Sequence, residues 1–175
     1  MADLQGAPGV GDPLPDLLAR LHERCLARGI HLATVESCTG GLVGHLITET
    51  PGSSTYYVGG FVTYSDQLKR DLVHVPDEVL AAHGAVSAQT AIAMAVGGRT
   101  RAGADLGASV TGIAGPDGGS AQKPVGLTYV AVADETGTEV RRHVWSGSRS
   151  ENKRASAAAV LALILERIDN GADLA

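Results

Sequence analysis

The sequence predicts an α/β domain built on a mixed sheet. Three observations carry this. Short apolar runs with β-branched members alternate with stretches of helical period along most of the chain. Two strand-like runs flank the turn Asp134-Glu135-Thr136-Gly137-Thr138 and read as an antiparallel hairpin in the C-terminal half. With 175 residues, 44% of them hydrophobic, the chain can fill one core, so a single domain is expected over residues 16–175.

The elements follow in order. Residues 1–15 are rich in Gly, Pro and Asp without periodicity and read as a mobile tail. From Asp16 the positions Leu17, Leu18, Leu21 and Leu26 recur at helical spacing up to Gly29, a glycine C-cap. Residues 30–35 form a short inner strand that stops at Glu36-Ser37. Leu42, Val43, Leu46 and Ile47 then define a helix broken at Pro51-Gly52. A second strand spans residues 56–64, bent at Gly59-Gly60, and Ser65-Asp66 caps a short helix carrying Lys69. Helices over 76–82 and 87–101, a strand over 106–111 and a loop over 112–120 come next. After the hairpin strands, 125–133 and 139–145, a helix over 150–168 is capped by Ser150.

Composition narrows the function classes. A net charge of -5 with no dense Lys/Arg cluster argues against the phosphate backbone of nucleic acid as a partner. Cys25 and Cys38 form no Cys-x-x-Cys pair, which suggests neither a zinc cage nor a disulfide framework. With no signal-like start and no membrane-length apolar run, a soluble cytoplasmic protein is expected. Short Ala-rich helices favour a homo-oligomer.

Two glycine-rich turns qualify as sites, because ligands of open α/β sheets bind beyond the carboxyl ends of strands. The first, Glu36-Ser37-Cys38-Thr39-Gly40-Gly41, presents two hydroxyls and a thiol among helix-start amides able to hold an anion. Alone, Ser37 or Thr39 would read as an N-cap; the paired glycines and Glu36 favour a site. The second, residues 111–119, carries four glycines but matches neither the Walker nor the Gly-x-Gly-x-x-Gly pattern.

A nucleophilic Ser37 needs a base, and none of the six histidines stands in a triad context. A desolvated Lys69 can serve, with Tyr64 relaying or orienting the proton, although composition alone reads Lys69 as a solvated helix lysine beside Arg70. Ser120/Lys123 and Ser150/Lys153 have the Ser-x-x-Lys spacing but look accidental. Cys38 ranks below Ser37 as nucleophile, since small buried cysteines are usually structural.

These segments, with Gly60-Phe61-Val62-Thr63-Tyr64-Ser65, Gly84-Ala85-Val86-Ser87, Ser109-Val110-Thr111-Gly112-Ile113-Ala114-Gly115-Pro116 and Lys123-Pro124-Val125-Gly126, resemble the C-terminal domain family of the competence/damage-inducible protein CinA. The resemblance runs over about residues 30–133 and more weakly through Gly147-Ser148-Arg149. It implies a three-layer α/β/α sandwich with a mostly parallel mixed sheet. It also implies hydrolysis of the nicotinamide mononucleotide carboxamide to nicotinate mononucleotide and ammonia, part of pyridine nucleotide salvage, with no metal and no cofactor. Ser37 matches the nucleophile; Tyr64 and Lys69 match its activators. Glu36, Thr39, Gly40, Gly41, Thr111, Gly112, Gly115 and Arg149 fall where substrate is held. Asp117 departs from a frequent family glycine, and Lys153-Arg154 leave open which basic residue follows Arg149. Two other readings stand beside this one. A non-catalytic nucleotide-binding module in a competence- or damage-related assembly would need the same loops, and a purely structural oligomer subunit would explain the Ala-rich helices.

Overall fold

The structure, a computed structural model, describes residues 12–171. Strands β1 (Leu32–Glu36), β2 (Tyr57–Val62), β3 (Leu106–Gly112), β4 (Leu127–Ala133) and β5 (Thr138–Val144) form one sheet in the order β2-β1-β3-β4-β5. β1 is parallel to β2 and β3, whereas β4 is antiparallel to β3 and β5. Two of the four pairings are therefore parallel, and every strand except β4 runs in one direction. The carboxyl ends of β1, β2, β3 and β5 consequently share one edge of the sheet, and the expected hairpin is β4–β5. A register shift between Leu32 and Ala33, opposite Gly59 at φ 138°, marks the expected bend in β2.

Helices α1 (Leu14–Arg28), α2 (Leu42–Thr48) and α6 (Arg149–Asn170) cover one face. There Leu21, Ile47, Leu161 and Ile164 pack on Leu32, Leu106, Val110 and Val132. Helices α3 (Asp66–Val73), α4 (Asp77–His83) and α5 (Ala88–Ala102) cover the other, where Val73, Leu80 and Met94 meet Val35 while Ala91 and Ala95 meet Ala131 and Ala133. The result is the three-layer sandwich. Small residues allow α5 to lie close on the sheet: a Cβ at Gly107 would stand 2.3 Å from the Ala95 carbonyl oxygen, and one at Gly98 would stand 2.2 Å from Val35 Cγ2.

Some boundaries move. Of the expected tail, residues 1–11 lie outside the described residues, while Leu14 and Pro15 already form the first turn of α1, where proline is well tolerated. The cap of α6 is Ser148, not Ser150: Ser148 Oγ accepts from Glu151 N–H, and Glu151 reciprocates by accepting from Ser148 N–H. The hairpin turn is tied to α6 by Asp134, which accepts from Arg167 Nε at 2.6 Å and from Thr136 and Gly137 amides. Chiefly through the Arg167 bonds, Asp134 is held well below the ordinary carboxylate range. No helix among the described residues is long and apolar enough to cross a membrane.

Candidate active site

The parallel half of the sheet sets out the site. Ser37 N–H donates to the Val110 carbonyl at 2.9 Å and Thr63 N–H to the Glu36 carbonyl at 2.8 Å, so pairing continues one residue past the ends of β1 and β2. Ser37, Thr63 and Thr111 are thereby brought to one edge. Glu36 then turns back under the start of α2. Its buried carboxylate accepts from the amides of Gly41 at 3.0 Å, Val43 at 3.1 Å and Gly44 at 2.8 Å. Gly40 and Gly41, at φ 64° and 98°, permit that tight return. Neither Ser37 nor Thr39 caps α2, because Glu36 has already taken the amides a cap would satisfy. The expectation that Glu36 holds substrate is corrected by the same bonds: its oxygens serve the helix start.

Lys69 arrives from the neighbouring strand. Ser65 caps α3 through Leu68 N–H at 3.2 Å and starts the helix so that Lys69 points inward, with 1% of its surface exposed. Its Nζ donates to Ser37 Oγ at 3.3 Å, to the Thr63 carbonyl at 3.0 Å and to the Tyr64 carbonyl at 3.5 Å. The solvated-lysine expectation therefore applies to Arg70, which reaches Asp77, and not to Lys69. Burial lowers the Lys69 pKa, opposed by Asp66, whose Oδ1 lies 3.6 Å from Nζ. A protonated Lys69 has a hydrogen for each of its three oxygen neighbours. A neutral one can keep two N–H groups on the carbonyls and turn its lone pair to the Ser37 hydroxyl, the arrangement a general base needs.

Tyr64 stands elsewhere than expected. It is 60% exposed, its hydroxyl accepts from Arg149 Nη2 at 3.3 Å, and only its main-chain carbonyl meets Lys69. Among the described residues the phenol makes no hydrogen bond to Ser37 or Lys69, so no relay through it is formed.

A cavity of about 270 Å³, at the small end for a ligand site, is lined by Ser37, Lys69, Tyr64, Thr111, Gly112, Gly115 and Arg149. Thr39, Gly40 and Gly41 do not line it. Thr111 contributes backbone, since its hydroxyl donates to the Ala85 carbonyl at 2.8 Å. Arg149 Nη1 donates to the Gly115 carbonyl at 2.8 Å, and the basic residue at the cavity is this one: Arg154 reaches Asp12, and Lys153 Nζ lies against Gly40. Cys38 and, from the glycine loop read as a site, Ile113, Ala114, Asp117 and Gly118 also form the wall; Ala85 and Val86 complete it and were not foreseen. Asn152 was also missed. Its Nδ2 donates to the Ala114 carbonyl at 3.0 Å while its Oδ1 accepts from Gly147 N–H at 3.0 Å, docking the 112–118 loop on α6. Its spacing of four to the buried Ser156, and of eight to Val160, on the inner side of α6 was the available signal. Burial pushes the Cys38 thiol up to about 12, which disfavours a thiolate there. No histidine lines the cavity, and the amides of Cys38 and Thr39 donate to no carbonyl or carboxylate among the described residues.

Residues 15–168 match the family model described as the CinA C-terminal domain. Among curated proteins, the CinA-like protein of Geobacter sulfurreducens is 48% identical over 141 residues, which cover 81% of this chain and 34% of that one. That of Geotalea uraniireducens is 50% identical over 123 residues, 70% of this chain and 29% of that one. The chain thus spans about a third of the length of the curated relatives it matches. Solved structures match over nearly their whole length. The competence/damage inducible protein CihA of Agrobacterium tumefaciens has TM-score 0.84 and 39% identity, covering 94% of this chain and 99% of that one. The competence damage-inducible protein A (ComA) of Klebsiella pneumoniae has TM-score 0.86 and 33% identity, covering 89% and 97%.

Proposed function

This chain belongs to the CinA C-terminal domain family, and from that premise we propose that it is a serine amidohydrolase that converts nicotinamide mononucleotide to nicotinate mononucleotide and ammonia. The observation that carries the chemistry is the Lys69 amine, buried and 3.3 Å from Ser37 Oγ, with two main-chain carbonyls to hold its N–H groups. The substrate rests on the family resemblance together with a basic residue, Arg149, at the wall of a small cavity.

In this reading Ser37 Oγ attacks the carboxamide carbon while its proton passes to the Lys69 lone pair. The developing oxyanion is met by the amide of Cys38, which lines the cavity beside the nucleophile. The tetrahedral intermediate collapses as Lys69 returns the proton to the leaving nitrogen, releasing ammonia and leaving a nicotinoyl ester on Ser37. Water then attacks the ester, gives a proton to Lys69, and the pyridine carboxylate leaves as Ser37 regains its hydrogen. Arg149 and the amides of the 112–118 loop bind the phosphate.

Ammonia release from nicotinamide mononucleotide, set beside other nucleotide amides, tests the reading with Ser37→Ala and Lys69→Ala as controls. Turnover by the wild type and loss in both variants is expected. Saturable binding of the nucleotide with no product would point instead to a binding module. The rate should rise with pH as Lys69 becomes neutral, with the acidic limb lying below the ordinary lysine pKa because burial lowers it. A rate independent of pH across that range would remove Lys69 as the base.

A further inference from the structure

We propose that Asp66 is a positioning residue for Lys69, a carboxylate set beside Nζ to stabilise the ammonium that forms when Lys69 takes a proton. Its catalytic meaning rests on the amidohydrolase reading above; its effect on Lys69 does not.

The geometry separates Asp66 from the other groups around the amine. Ser37 Oγ, Thr63 O and Tyr64 O accept all three N–H directions of Lys69, and each of these acceptors is uncharged. Asp66 Oδ1, at 3.6 Å, lies beyond hydrogen-bond reach and acts through its charge. It sits at the first residue of α3, three positions before Lys69, so one helical turn holds the carboxylate against the stem of the lysine. Among the described residues Asp66 has no other cationic or hydrogen-bond partner. Lys69 is buried to 1%, whereas the Asp66 side chain is 51% exposed, so one partner is desolvated and the other is reached by water.

The pairing answers a need of the mechanism. Burial favours neutral Lys69, which makes a ready base, yet the same burial penalises the ammonium produced by each proton transfer. A nearby half-hydrated carboxylate offsets part of that penalty without replacing the lone pair's path to Ser37. The other titratable groups around the cavity are Cys38 on the turn after β1, Tyr64 after β2, Asp117 in the loop and Arg149 on α6. Burial keeps the Cys38 thiol neutral, and Tyr64 and Arg149 bond to each other. Asp66 is thus the anion that acts on Lys69 most strongly. The competing account is that Asp66 merely suits a helix N-terminus, where any acidic residue stabilises the first turn.

The two accounts part in the titration of Lys69. The chain has only three lysines, at 69, 123 and 153, so NMR of protein labelled at lysine Cε and Nζ gives three resonances, assigned with Lys123→Arg and Lys153→Arg. In Asp66→Asn the Lys69 titration should move to lower pH by about half a unit, the size expected for a half-exposed pair, and Asp66→Glu should restore it. Asp66→Ser, neutral and compatible with a helix start, provides the same comparison if the Asn variant does not fold. The acidic limb of ammonia release should move in the same direction. An unmoved Lys69 titration in both neutral variants overturns the proposal, even if the helix loses stability. A shifted titration in a protein that releases no ammonia upholds the role of Asp66 and sinks the amidohydrolase reading instead.

Discussion

The two glycine-rich segments of this chain look alike in sequence and differ in what their amides do. In residues 36–41 the chain returns on itself, and the Glu36 carboxylate takes three amides at the start of α2. In residues 112–118 the amides of Ala114, Gly115 and Gly118 donate to no acceptor among the described residues, while the carbonyls of Ala114 and Gly115 are held from outside by Asn152 and Arg149. The first segment is a rigid mount that displays one hydroxyl; the second is a wall with donors to offer. Glycine content cannot tell them apart. A satisfied anion inside the turn can.

Changes in the two segments should therefore fail in different ways. The largest effect is expected from Ser37→Ala, which should cut ammonia release by about a hundredfold or more while leaving the thermal midpoint near that of the wild type. Undiminished turnover would remove Ser37 as nucleophile. Next, Glu36→Ala should cost on the order of 3 kcal/mol in denaturant unfolding, because it leaves buried amides without an acceptor and opens a gap beneath α2. If stability were unchanged and only substrate affinity fell, Glu36 would belong with the wall after all. Arg149→Ala should raise KM about tenfold or more with a smaller change in kcat and little loss of stability, as expected of a group that binds the phosphate in ground and transition states alike. An equal fall in kcat and kcat/KM would place Arg149 in the chemical step. The smallest effect is expected from Gly118→Ala. At φ 90° an alanine is strained by about 1 kcal/mol, but the nearest atom to its Cβ would be Ile113 Cγ2 at 3.8 Å, so the change should appear mainly in KM.

The hairpin anchor provides a control remote from both segments. The Asp134 pKa is depressed in the folded state, so its contribution to stability is present above the ordinary carboxylate pKa and is lost as pH falls through the folded value. Asp134→Asn should lower stability at neutral pH by about 2 kcal/mol and narrow the difference from wild type in strong acid, with ammonia release unaffected.

Much of this was legible in the chain. Gly29, Ser65, Ser87 and Gly103 stop or start helices where local rules place them, since capping is decided within a few residues. Ser37 at the strand-to-helix turn and Lys69 one turn after the Ser65 cap were both readable. Glu36 was misassigned because a carboxylate beside a nucleophile reads as part of the site until its donors are found to be the amides of Val43 and Gly44. Tyr64 was misassigned because sequence places the residue at a strand end but does not say which way its side chain leaves. Asn152 and Ala85 were missed because each meets the 111–115 segment only across elements far apart in the chain.

The sequence by itself determined the helices and strands, the hairpin and the turn that displays Ser37, because periodicity, caps and glycine act over short distances. Only the tertiary structure decided that Lys69 is the group beside that hydroxyl. Its amine is held by the carbonyls of Thr63 and Tyr64, and these stand near Ser37 only because β1 and β2 pair in parallel, with Glu36 opposite Val62. Register between strands 25 residues apart follows from burial and pairing across the whole sheet, and no local pattern encodes the direction of a carbonyl at the far end of it.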